Sequence, residues 1–235
     1  MIPDWLHFLI DPILFDRYAP RLLTGFLTTL QLVGITYTAG MVLGMCIAMA
    51  RLSSNKVLHY GARGFIYFFR GTPLMAQLFL FYFGIGSFSG FWQSVWLWWF
   101  FQSAWYCCLF IFTLNSAAYQ AEILRGSIQS VSLGQYEAAR ALSLSKKVTF
   151  YRVILPQSFI MALRPLGNEL ILLIKSSAVA SLVTIYDLMG MAKLAYARTF
   201  NLQVYIWAAV LYLISVEIIR RIVYIIEHRL TKHMK

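Results

Sequence analysis

Two ionisable residues, Glu169 and Lys175, stand well inside the apolar run from Phe159 to Tyr186, with Arg164 near its start and Asn168, Ser176, Ser177, Ser181 and Thr184 beside them. An ionisable group inside a membrane-length segment costs about 2.5–3.5 kcal/mol on insertion scales, and it normally faces a cavity or a partner. Six residues separate the two, so they leave a helix from different faces and do not neutralise one another. The chemistry on offer is recognition of a polar ligand at depth. A buried carboxylate suits a cationic or amino group. A structural ion pair with another helix or subunit is the competing reading for Glu169. Lys175, toward the outer half, can instead reach the interface along its own stem. Asn168, Gln77, Asn115 and Tyr119 are further candidates for lining a polar pathway.

Other chemistries lack their residues. No nucleophile–base pair stands out. Cys46, Cys107 and Cys108 fall inside apolar runs without C-x-x-C spacing, which suits buried thiols. His7, His59, His228 and His233 have no partner at metal-ligand spacing. No G-x-x-x-x-G-K-[ST] occurs, so the chain itself holds no P-loop for ATP. Gly84-Ile85-Gly86 has no strand–turn–helix around it and is a turn, not a nucleotide fingerprint.

The elements that must position these residues are membrane helices. The 235 residues are 60% hydrophobic and 12% charged, with a mean hydropathy of +0.68. A soluble domain averages about 25% charged residues, so lipid is the expected solvent. The net charge is +11, yet no Asp, Glu, Lys or Arg occurs from Gly71 to Ala121. That excludes a basic soluble domain and argues against nucleic acid, which needs a continuous basic face. Five spans are expected, near 22–50, 66–84, 92–114, 159–186 and 202–226, in a single domain over 1–235. Residues 1–21 read as an interfacial segment with Trp5, Phe8, Phe15 and Tyr18. They lack the basic and small-residue features of a signal peptide, so the first span is expected to act as an uncleaved insertion signal. Gly40, Gly44 and Ala48 form a small-residue stripe that lets another helix approach closely. Trp92, Trp96, Trp98, Trp99 and Trp105 suit an aromatic belt. Lys and Arg number four over 51–70, six over 122–164 and five over 220–235, against four on the opposite side. The positive-inside rule then puts the polar interlude and the C-terminus in the cytoplasm and the N-terminus outside.

That interlude, 134–156, is the longest polar break in the chain. Glu137-Ala138-Ala139-Arg140-Ala141-Leu142 are good helix formers. Leu144, Val148, Tyr151 and Leu155 recur at helical steps, and Pro156 closes the stretch. A helix–turn–helix with a basic face at Arg140, Lys146 and Lys147 is expected, fit to dock a soluble partner. It resembles the EAA loop of permease subunits in ABC importers. Glu137-Ala138-Ala139 and Ile154-Leu155-Pro156 match, with total length preserved and the isoleucine one place late, while the family glycine falls on Ser143. Two further stretches, Arg70-Gly71-Thr72-Pro73 followed by Gln77, and Asn115, Ala118, Tyr119, Glu122, Arg125 and Gly126, resemble the polar amino-acid permeases in the same order.

The resemblance implies an all-α membrane protein of the type I ABC importer permease fold, in the bacterial inner membrane. It implies a subunit that forms the pathway for a polar, basic amino acid or an opine and is not itself catalytic. Two such chains would meet an ATPase dimer that binds the ATP; no cofactor is implied in this chain. A periplasmic or extracellular binding protein would deliver substrate. A paralogue is favoured over a second copy as the other permease. Glu137, Ala138, Ala139, Arg140, Ser143, Lys146, Lys147, Leu155 and Pro156 would couple to the ATPase. A self-contained carrier or channel is the alternative, but the paired broken helices of an inverted repeat are not evident. An intramembrane enzyme would lack a catalytic constellation.

Overall fold

The computed structural model describes residues 11–232, which are helical with no strand among them. Helix α1, Pro12–Leu52, starts well before the expected Leu22. Asp11 Oδ1 accepts from the amides of Ile13 (3.0 Å) and Leu14 (3.3 Å), and Pro12 takes the first helical position, where no donor is needed. The expected interfacial segment is therefore helical from Pro12 onward; residues 1–10 lie outside the described residues.

Helix α2, Lys56–Gly71, is opened by Asn55, whose side chain accepts from Val57 N. It stops because Thr72 precedes Pro73 and is pushed to extended backbone, φ −118° and ψ 146°. Helix α3, Leu74–Phe79, restarts and runs into a wide π-turn, Leu80–Gly84, and a tight turn, Ile85–Ser87. The second expected span is thus interrupted at Thr72–Pro73.

The third expected span coincides with a long helix only from Ala104. Upstream lie two short helices, Ser89–Ser94 and Trp98–Phe101, separated where Trp96 takes φ 58°. Trp92 stacks on Phe101 at 3.9 Å and donates its indole N–H to the Ile85 carbonyl at 2.7 Å. Aromatic packing thus uses residues that sequence assigns to an interfacial belt. Helix α4 is Ala104–Gln129.

Next come α5, Leu133–Ala141, a single turn at Lys146–Val148, a wide turn at Thr149–Ile154, and α6, Leu155–Ser176. Pro156 does not close the polar stretch. The wide turn before it leaves room for a residue that lacks a donor and would crowd the preceding carbonyls, so helix continues through it. A 3₁₀ segment, Ser177–Val183, follows and ends at Thr184 in the left-handed region, φ 65°. The stretch between the fourth and fifth expected spans holds α7, Leu188–Thr199, capped by Asp187, whose Oδ1 accepts from Gly190 N at 2.8 Å. The last helix, α8, is Gln203–Thr231.

Among the described residues three helical runs are long and apolar enough to cross a membrane: Pro12–Leu52, Ala104–Gln129 and Lys146–Val183; Leu74–Ser87 is a shorter apolar run. The fifth expected span falls on α8, whose second half carries Glu217, Arg220 and Arg221.

The chain forms two compact units. The first holds the described residues to Tyr37, Pro73–Thr113 and Ile171–Ile218. Its cores are Leu22 with Leu188, Ala192 and Ala208, and Tyr18 with Ala195 and Val204. The second holds Thr38–Thr72, Leu114–Leu170 and 219–232. Its cores are Ala48, Ile66, Ala121, Leu124, Ala162 and Leu166, and Ile128 with Val131 and Ile154.

Within the second unit the small-residue stripe packs α1 on α4. A Cβ on Gly44 would lie 3.0 Å from the Ala117 carbonyl oxygen and 3.2 Å from Ala121 N, both backbone atoms that cannot rotate away. Gly40 meets Ser116 and Ala117 at 3.3 Å. Gly44→Leu is therefore expected to force the two helices apart and cost about 1–3 kcal/mol, read as a lower melting temperature in detergent. Gly34→Leu, where an added Cβ would meet nothing within 4 Å, is the control expected to melt normally.

Candidate functional site

The pathway candidates divide between the units. Asn115, Tyr119, Asn168 and Glu169 belong to the second, and Gln77 and Lys175 to the first. Glu169 is buried, 6% exposed, although Asn168 beside it and Lys175 further along α6 are exposed. Burial thus separates the two ionisable residues as their six-residue spacing predicts. Gln77 is also buried.

In the second unit two sequence motifs meet. The break between α2 and α3 strands carbonyls at the end of α2, because Pro73 supplies no amide to continue the ladder. Asn115 Nδ2 donates to one of them, the Phe69 carbonyl, at 3.0 Å. One turn along α4, the Tyr119 ring carries the Arg70 guanidinium 5.1 Å from its centroid. One turn further, Glu122 pairs with Arg125, which also donates to Gln129. The Arg-Gly-Thr-Pro stretch and the Asn–Tyr–Glu–Arg face of α4 are therefore one polar construction. Asn115 and Tyr119 hold its end of α2.

Arg51 and Arg63 are the residues that sequence reasoning passed over. They share a cavity with Arg70 and Glu122. Lys56, Arg63 and Arg70 recur every seven residues, which sets them on one helical face; that spacing was the available signal. Asp187, fully buried at the start of α7, was hidden because a lone acid after an apolar run reads as the beginning of a loop.

The 134–156 stretch folds as α5, a tight reversal and a second helical segment. Leu144 N donates to the Ala139 carbonyl at 3.0 Å and Ser143 N to the Arg140 carbonyl at 2.9 Å, with Ser143 at φ 53°. This is the Schellman ending, whose left-handed position favours glycine. Ser143 holds the same turn at the cost of a Cβ clash. Ser143→Gly is expected to stabilise by about 0.5–1 kcal/mol, read as a small rise in melting temperature with the loop's function retained. Glu137, Ala138, Arg140, Ser143, Lys146, Lys147 and Pro156 are exposed, and Leu155 is half-buried. Ala139 is 3% exposed. It packs inside the chain, so of the two alanines expected to couple to the ATPase only Ala138 stands open to a partner. Leu133, Leu142 and Tyr151 stand exposed beside the lysines.

Residues 40–232 match the protein family described as binding-protein-dependent transport system inner membrane component. The nopaline transport system permease protein of Agrobacterium fabrum is 41% identical over 217 residues, 92% of this chain and 90% of that one. The arginine ABC transporter permease protein of Escherichia coli K12 is 32% identical, over 91% of this chain and 96% of that one. Among solved structures, an amino acid ABC transporter crystallised with histidines superposes with a TM-score of 0.82 at 32% identity, covering 94% of this chain and 99% of its own. The polar turn, the paired motifs and these likenesses agree: the chain belongs to the binding-protein-dependent transport system inner membrane component family, the permease subunits of ABC importers.

Proposed function

We propose that this chain is the membrane-spanning subunit of an ATP-driven importer for polar, basic amino acids or opines in the bacterial inner membrane, and that it works with partners that supply the chemistry. The observation that carries this reading over a self-contained carrier is the helix–turn–helix at 134–156. It leaves Leu133 (77% exposed), Leu142 (72%) and Tyr151 (64%) uncovered beside Arg140, Lys146 and Lys147. Exposed apolar side chains rimmed by charge mark a protein-docking surface. On the basic side of the membrane such a surface fits an ATPase subunit.

The mechanism follows from rigidity. The loop is tied by the Schellman ending, and Ile154 is buried with Ile128 and Val131 at the end of α4. Helix runs unbroken from the wide turn through Leu155–Ser176. A push on the loop therefore reaches α6, which carries Glu169, as a rigid body. Two such chains, an ATPase dimer and a substrate-delivering binding protein complete the importer. Closure of the ATPases on ATP would switch the pathway between outward and inward access. Glu169 supplies the buried carboxylate for the substrate's cationic group.

Affinity purification of the solubilised chain, with mass spectrometry of what accompanies it, tests the reading. An ATPase together with a second, different permease is expected. An ATPase with this permease alone would make the pair homodimeric. A chain that purifies by itself and moves substrate in liposomes without ATP would overturn the reading in favour of a carrier.

A further inference from the structure

We infer that the cavity lined by Arg51, Arg63 and Arg70 is a binding site for a phosphate-class anion, with the phosphodiester headgroup of an anionic phospholipid as its source. The cavity holds about 340 Å³ and lies wholly within the second unit. Its walls come from the end of α1, one face of α2 and Glu122 of α4. Arg63 and Arg70 share a helical face because seven residues separate them, and Arg51 arrives from the end of the preceding helix.

Charge balance points to an anion. Three guanidinium groups face one carboxylate, and that carboxylate is already engaged by Arg125. Among the described residues none of the three arginines forms an ion pair. Arg51 Nη1 contacts the His59 ring at 2.6 Å and Arg70 lies over the Tyr119 ring, so neither contact sets a carboxylate against the guanidinium. Each guanidinium has five donors in a planar fork, so donors remain for a ligand. Phosphate oxygens are the acceptors such forks match, often two at a time.

The surroundings point to lipid as the source. Tyr67, 81% exposed, lines the same cavity, and Phe68 beside it is half exposed. Aromatic rings at a basic site suit the headgroup level, where one end is apolar and the other wet. Positive-inside counting, on which the proposed orientation also rests, puts α2 at the cytoplasmic leaflet; basic pockets beside membrane helices there take anionic headgroups. A lone surface arginine would attract lipid only loosely, whereas three converging on a cavity hold a headgroup in place.

The test is thermal stabilisation of the full chain in detergent, titrated with short-chain phosphatidylglycerol, short-chain phosphatidylcholine and inorganic phosphate. Phosphatidylglycerol is expected to stabilise saturably, with phosphatidylcholine and phosphate inert. Arg63→Gln is expected to weaken the phosphatidylglycerol response by about fivefold, and Arg63→Lys to recover part of it. Arg63 is exposed and outside the buried cores, so the variant should fold; native mass spectrometry of retained lipid gives a second reading on the same proteins. Stabilisation by inorganic phosphate equal to that by phosphatidylglycerol would keep the anion site but overturn the lipid source. An equal response to both lipids, or an unchanged response in Arg63→Gln, would overturn the site. None of these readings depends on transport or on an ATPase, so failure here is distinct from failure of the importer reading.

Discussion

Replacing Glu169 by Gln is expected to lower the initial rate of ATP-driven uptake of a basic amino acid by tenfold or more in proteoliposomes, with the protein inserted and assembled as before. The change keeps shape and removes only charge. Glu169 is 6% exposed, so its carboxylate sits where water screens it poorly. A hydrogen bond to a charged group is worth about 1.5–3 kcal/mol, which converts to roughly ten- to a hundredfold at RT of about 0.6 kcal/mol. Stability separates this role from the competing one. If Glu169 served only as half of a structural ion pair with another subunit, Gln would leave a buried cation unpaired and lower the melting temperature of the complex. If it meets the substrate, melting without substrate should hold steady or rise, because an uncompensated buried carboxylate has been removed. Undiminished uptake by a stable, assembled variant would take Glu169 out of the pathway. Lys175 is expected to behave differently. It is exposed, so Lys175→Met should change uptake far less than Glu169→Gln in the same assay.

How far this was legible from sequence depends on the kind of information each residue carries. The Gly40–Gly44–Ala48 stripe was legible because its meaning is local: a helix with no side chains on one face packs closely there, and Gly44 does, against Ala117 and Ala121. The turn at Ser143 was legible only through the resemblance to the EAA loop, whose glycine falls on that position. The geometry holds with serine, at a strain that Ser143→Gly is expected to relieve by about 0.5–1 kcal/mol. Three features were not legible. Trp92–Ser103 is as apolar as a span, and hydropathy does not register the left-handed Trp96 or the stacking of Trp92 on Phe101 that breaks it. Pro156 looked like a stop because proline removes a donor, but the wide turn at Thr149–Ile154 absorbs the loss, and no residue type announces such a turn. The meeting of Asn115 with the Phe69 carbonyl and of Tyr119 with Arg70 spans some fifty residues of chain, a tertiary fact that periodicity does not contain. In each case the residues were visible, and what pairs with them was not.

The loop gives the second large effect, and two adjacent alanines divide it. Ala138→Asp is expected to leave the chain inserted and as stable as the parent, while reducing substrate-stimulated ATP hydrolysis of the assembled importer at least tenfold. Ala138 is exposed on α5, so an aspartate there is solvated in the free chain and meets trouble only where a partner's surface covers it. Desolvating an unpaired carboxylate at such a contact costs several kcal/mol, enough to lose docking. Ala139→Asp is expected to fail differently. Ala139 is buried, and its carbonyl accepts the Leu144 amide that closes the turn. An aspartate there must carry its charge out of water or unfold the reversal, so melting temperature and expression should fall with coupling. The pair is informative together. Loss of stimulation in both, with stability lost only in Ala139→Asp, places a partner on the Ala138 face and a structural role at Ala139. Normal stimulation in a stable Ala138→Asp chain would remove the docking role from this face of α5, and the ATPase contact would have to be sought on the exposed lysines beyond the turn.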